Sequence, residues 1–127
     1  MAPKRILIVE DDPDLALLLT DTLGLEGYAC RLAGDSVQAM TAAQQFRPEL
    51  VVLDYMLPGG GAPVVHKAFR ADPAGAKAPI ILLTSVPEEQ VHRTMDMDGG
   101  TYYLAKPFRR AELLQVVREA LLDGPAA

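Results

Sequence analysis

The chain has 127 residues, 50% of them hydrophobic and 23% charged, with a formal net charge of −5. That is the length and apolar content of one packed domain, which excludes a disordered tail, and the acidic balance argues against nucleic-acid binding through this domain, since phosphate-backbone binders are normally basic. The lone Cys30 excludes an internal disulfide and a cysteine-rich metal site and suits a cytoplasmic location, while no apolar run approaches the roughly 18–20 residues of a membrane span.

Lys4–Glu10 (KRILIVE) reads as a first strand; the acids that follow it and the missing small-residue cleavage site do not fit a signal peptide. Asp12–Glu26 is a predicted helix, with Leu15, Leu18, Leu19, Thr22 and Leu23 at helical spacing, Pro13 in the first turn and Gly24 and Gly27 at the end. Tyr28–Leu32 is a second strand carrying Cys30 as a small buried apolar residue. A helix over Asp35–Arg47 is capped by Asp35 or Ser36 and turns Val37, Met40, Ala43 and Phe46 to one side. Leu50–Asp54 is a strand and Pro63–Ala71 a short helix; Pro79–Thr84 is the next strand. Pro87–Met97 has two acids in its first turn, favourable to the helix dipole, but runs into a polar, glycine-rich Asp96–Gly100 that shortens it. Thr101–Ala105 is the last strand, and Arg109–Leu122 a helix with Leu113, Val116, Val117, Ala120 and Leu121 inward. The core of a single domain, 1–127, thus runs from about 4 to 122, with a short tail at 123–127. His66 and His92 fall on predicted surface helices with no partner at metal-ligand spacing.

Strands alternating with helices imply crossover connections, a parallel sheet and helices on both faces. In such sheets the ligand crevice lies at the carboxyl ends of the strands. The first strand ends at Glu10-Asp11-Asp12, the third at Asp54, the fourth at Thr84-Ser85, and the fifth runs into Lys106-Pro107. Taken singly, these are a helix cap, a turn residue, another cap and a solvated lysine. Together they bring carboxylates, a hydroxyl and an ammonium to one rim. Carboxylates about 4 Å apart repel by about 4 kcal/mol at an effective dielectric of 20. A hard divalent cation rewards such crowding, because Mg²⁺ prefers oxygen ligands.

ILIVEDD, VVLDYMLPG, ILLTS and YLAKPF, in that order, resemble the receiver domain of bacterial two-component response regulators, and the resemblance covers essentially the whole chain. It implies a flavodoxin-like, doubly wound three-layer α/β sandwich with five parallel strands in the order 2-1-3-4-5 and five helices, as in chemotaxis receivers. It implies that Glu10, Asp11, Asp54 and the Met56 backbone carbonyl hold Mg²⁺ (or Mn²⁺), with Asp12 the cap of the first helix. Asp54 becomes the phosphoacceptor for a sensor histidine kinase or histidine phosphotransfer protein. Thr84 binds a phosphoryl oxygen, the Ser85 amide faces the phosphoryl group, and Lys106 pairs with Asp54. Lys106-Pro107 matches the family's cis peptide. Tyr103 moves inward from an outward rotamer as Thr84 shifts, which remodels the face of the fourth helix, fifth strand and fifth helix for a downstream protein. Tyr102, of opposite strand parity, is a packing residue. No independent enzymatic turnover is implied.

Two departures stand out. Three glycines precede Ala62, where receivers commonly have a glycine, which predicts a re-routed and more mobile loop after Asp54. Met56 and Val86 are both apolar at positions that in receivers influence how an attacking water is oriented, so the resemblance implies a long-lived phosphoryl group. Competing functions are a degenerate receiver that binds proteins without phosphorylation, a Mg²⁺-dependent phosphohydrolase (which typically needs an acid where Met56 stands) and a flavin carrier, whose phosphate the acids after the first strand would repel. Arg109, Arg110 and the exposed side of the last helix suit either a homodimer or a target, and the sequence does not choose.

Overall fold

The computed structural model describes residues 2–57, 61–73, 77–95 and 97–123. Strands β1 (Arg5–Val9), β2 (Ala29–Ala33), β3 (Leu50–Asp54), β4 (Ile80–Thr84) and β5 (Thr101–Ala105) alternate with helices α1 (Pro13–Leu25), α2 (Ser36–Phe46), α3 (Gly61–Ala71), α4 (Glu88–Thr94) and α5 (Arg110–Asp123). All the strand pairs are parallel and their order is β2-β1-β3-β4-β5. This is the doubly wound sandwich expected, with the order reversing at β1/β3, where such sheets open their crevice.

Strand alternation divides the core. Leu7, Val9, Val51, Leu53, Ile80 and Leu82 pack with α2, α3 and Val91 of α4, whereas Ile6, Ile8, Leu50, Val52, Ile81 and Leu83 meet α1 and α5. β3 and β4 are buried along their whole length, which is why they read as unbroken apolar runs. Each of these side chains, fully withdrawn from water, contributes about 1.5–3 kcal/mol.

The helices differ in detail from the sequence reading. In α1 the inward residues are Ala16, Leu19, Thr22 and Leu23, and Leu18 is exposed. In α2, Ala39, Ala42 and Ala43 face the sheet while Val37 points to solvent; alanines let the helix approach the strands closely. Asp35 caps α2 and Asp12 caps α1, each accepting a hydrogen bond from a first-turn amide. α3 begins two residues earlier than expected, on Gly61, whose φ of 74° suits glycine and whose added Cβ would lie 3.3 Å from the Tyr55 carbonyl. α4 ends at Thr94, earlier than Met97, because Met95 is extended and Asp98 turns the chain into β5 through bonds from the Gly100 and Thr101 amides. The re-routing expected of residues 58–60 and the tail at 124–127 lie outside the described residues, as does residue 96.

Candidate active site at the carboxyl ends of the strands

Glu10 continues the β1 ladder by donating its amide to the Ala33 carbonyl at 2.9 Å, so its side chain enters the crevice rather than solvent. It is 4% exposed, and Asp54 at the end of β3 is 5% exposed, whereas Asp11 is open. One carboxylate oxygen from each of Glu10, Asp11 and Asp54 lies within 4.8 Å of the others. Glu10 Oε2 accepts the Asp12 amide at 3.0 Å, but Oε1 is buried without a hydrogen bond. Burial pushes the Glu10 carboxyl up to about 7, and the neighbouring Asp54 carboxylate adds to the rise against the opposing Asp12 amide and Lys106 ammonium.

Lys106 answers this negative cluster. Its Nζ lies 3.2 Å from Asp54 Oδ1 and 3.8 Å from Glu10 Oε1. Its amide donates to the Thr84 carbonyl at 2.9 Å, which extends the β4–β5 ladder and fixes the backbone from which the ammonium projects. The Lys106-Pro107 peptide is cis, as the resemblance implied. The Met56 amide approaches Asp54 Oδ1 at 3.4 Å.

Thr84 is 2% exposed and its hydroxyl accepts the Val86 amide at 2.9 Å. The Tyr103 hydroxyl donates to the Val86 carbonyl, so one residue, Val86, joins both side chains. The Tyr103 ring is half-buried against the core that includes Val91 of α4, with its hydroxyl on the Val86 carbonyl. Tyr102 packs against the opposite core, as its parity required. Ser85 is exposed at the mouth. A groove of about 480 Å³ adjoins the acids, with Asp11, Tyr55, Met56 and Thr94 among its walls.

The structure corrects His66. It is 4% exposed, with Nε2 2.8 Å from Thr101 Oγ1 and 3.6 Å from Asp98 Oδ2. The signal was present: Ala62, Val65, His66 and Phe69 form one helical stripe, and all are buried. His92 is exposed, as expected. Beside His66, Arg70 donates from Nε to Asp98 at 2.7 Å and from Nη1 to the Ala78 carbonyl at 2.6 Å. Burial raises the Asp98 carboxyl, but bonds from Arg70, Thr101 and Gly100 outweigh it and hold the group at about 2.

The family model for the response regulator receiver domain matches residues 6–118. The chain is 41% identical over 127 residues to the DNA-binding response regulator MtrA of Mycolicibacterium smegmatis, a match that covers 97% of this chain and 54% of that protein. In fold it is similar to the receiver domain of sensor histidine kinase PA1611 from Pseudomonas aeruginosa, solved with a magnesium ion coordinated in the active site cleft (TM-score 0.85, 32% identity, 94% of this chain and 98% of that one). It is likewise similar to chemotaxis protein CheY4 of Vibrio cholerae (TM-score 0.88, 27% identity, 94% of this chain and 100% of that one).

With five parallel strands in the order β2-β1-β3-β4-β5 and an acid cluster at their carboxyl ends, the chain belongs to the response regulator receiver domain family. Receiver domains are signalling modules of two-component systems. The chain spans about half the length of the MtrA relatives it matches. Among the described residues no helix is long and apolar enough to cross a membrane.

Proposed function

We propose that this domain is a phosphoacceptor: Asp54 takes a phosphoryl group from a phosphohistidine on a sensor kinase or phosphotransfer protein and thereby switches the α4–β5–α5 face. The observation that carries this reading is the buried Asp54 carboxylate held between Lys106 and two further acids. The Glu10 Oε1, buried without a hydrogen bond, and the all-oxygen donor set fit a hard divalent cation, with Glu10, Asp11, Asp54 and the Met56 carbonyl as its ligands from the protein. When bound, Mg²⁺ supplies charge neutralisation for the crowded acids and the incoming phosphoryl oxygens.

The chain's own residues do the rest. A carboxylate oxygen of Asp54 attacks phosphorus, the phosphorus–nitrogen bond breaks, and the imidazole leaves with the bonding electrons. Lys106 then turns from the carboxylate to a phosphoryl oxygen, the Thr84 hydroxyl bonds a second one, and the Ser85 amide faces the group. The Thr84 hydroxyl accepts the Val86 amide and keeps its own proton to donate to the phosphoryl group, so a shift of Thr84 toward that group pulls on Val86, whose carbonyl holds Tyr103. The new charge thus reaches α4 and β5 through Val86.

The alternative, a degenerate receiver, is disfavoured by the complete set Glu10, Asp11, Asp54, Thr84 and Lys106. Incubation with Mg²⁺ and a small phosphodonor, read by intact mass, tests the choice: one added phosphoryl group supports the acceptor and no mass change favours the degenerate form. The net charge of −5 supports a domain that does not itself contact DNA, although the MtrA relatives are DNA-binding proteins. The absence of a long apolar helix among the described residues and the single cysteine support a cytoplasmic setting. A sensor kinase or phosphotransfer protein and, at the exposed side of α5, either a downstream target or a second copy of the chain are the partners this reading calls for.

A further inference from the structure

Tyr55 follows Asp54 directly, between two of the proposed metal-contacting residues. Its main chain is fixed from both sides: the amide donates to the Leu83 carbonyl at 3.1 Å, and the carbonyl accepts the Ala62 amide at 3.1 Å. The side chain crosses from the end of β3 to the last turn of α4, where its hydroxyl meets Thr94 Oγ1. Thr94 gives its own hydroxyl proton to the Val91 carbonyl at 3.1 Å, so its oxygen accepts and Tyr55 donates.

α4 is lightly seated. It has seven residues, no side-chain cap at Pro87, and Val91 as its buried contact. Tyr103 holds the segment leading into the helix through Val86, and Tyr55 holds the opposite end through Thr94. One grip comes from the edge strand and the other from the acceptor loop itself.

We propose that Tyr55 is a positioning residue whose bond to Thr94 carries changes at the Asp54 loop to the last turn of α4, by a route separate from Thr84, Val86 and Tyr103. A ligand at the acids shifts α4 only through contacts that differ between the two states, and the proposal gives this bond that role. Linkage makes the route reciprocal: a partner that grips α4 and breaks the bond changes cation affinity at the acids by the same factor. The trigger rests on the phosphoacceptor reading, but the coupling is also accessible to Mg²⁺ alone.

The test is amide NMR of the whole chain, titrated first with Mg²⁺ and then with beryllium fluoride as a phosphoryl mimic. In the unsubstituted protein the Thr94 and Met95 amides shift. In Tyr55→Phe those shifts are lost while those of Val86 and Tyr103 remain; Thr94→Val behaves likewise, and Thr94→Ser, which keeps the hydroxyl, retains the response. Thr94 and Met95 shifts that persist unchanged in Tyr55→Phe, or that never occur in the unsubstituted protein, overturn the proposal. Phosphoryl uptake by mass is read separately: no uptake together with a Mg²⁺ response that depends on Tyr55 removes the acceptor reading and leaves the coupling standing.

Discussion

Lys106 reaches from the end of the edge strand to Asp54 in the centre of the sheet, Nζ to Oδ1 at 3.2 Å, and lies 3.8 Å from the otherwise unbonded Glu10 Oε1. Among the described residues one ammonium therefore faces two buried carboxylates, and its loss removes the protein's own countercharge from both. Lys106→Met is expected to slow phosphoryl uptake about a hundredfold, the scale of removing one charge-stabilising donor from a transition state. Rates from a small phosphodonor, with circular dichroism to verify folding, check this.

The Glu10 carboxyl rises from 4.5 in the unfolded chain to about 7 in the metal-free fold. The folded protein therefore binds the extra proton more tightly than the unfolded chain does. Stability from this group is fully present below pH 4.5 and is lost as pH rises through about 7. Metal-free protein is expected to melt at a lower temperature at pH 8 than at pH 5.5 so far as this group contributes, and Glu10→Gln flattens that slope. Mg²⁺ binds the ionised form, so it raises the melting temperature more at pH 8 than at pH 5.5. Melting curves with and without Mg²⁺ at the two pH values decide it.

Asp98 works in the opposite sense. Its carboxyl falls from 3.8 to about 2 in the fold, so its contribution is present above pH 3.8 and is lost as pH drops through about 2. Asp98→Asn is expected to cost about 1–3 kcal/mol at pH 7, because Arg70 keeps its charge and loses its carboxylate partner. Urea titrations at pH 7 and pH 2.5 should give a smaller difference between variant and parent at the lower pH.

Met56, on the wall of the groove beside the acids, is 68% exposed, and Val86 is half-buried beside Thr84. Neither offers a polar group to a water approaching the phosphoryl phosphorus. Phosphate loss is expected to be slow, and replacing Met56 with Asn to speed it. Decay of the phosphorylated mass after removal of the phosphodonor measures both.

The chain's architecture was readable because burial on both faces turns β3 and β4 into unbroken apolar strings, and because turn and cap residues mark the intervals. Glu10, Asp54, Thr84 and Lys106 were found because each closes or directly follows a strand, and a parallel sheet brings such ends together. Periodicity could not orient α1, where Leu15, Leu17, Leu18, Leu19 and Leu23 surround the helix and several faces look equally apolar. In α2 the small alanines, not the larger Val37, take the sheet side, since closeness of approach outweighs hydrophobic size there. His66 sits on a helix expected at the surface, yet its place on the stripe with Ala62, Val65 and Phe69 turns it inward. The bonds from Tyr55 to Thr94 and from Arg70 to Asp98 join residues 39 and 28 positions apart, and no local pattern encodes them.

Intact mass of the unsubstituted chain and of Asp54→Asn, each incubated with Mg²⁺ and a small phosphodonor, tests the acceptor assignment most directly. The account predicts one added phosphoryl group on the parent that is lost when the cation is chelated beforehand, and none on Asp54→Asn. Equal uptake by the two proteins, or none by either, would contradict it.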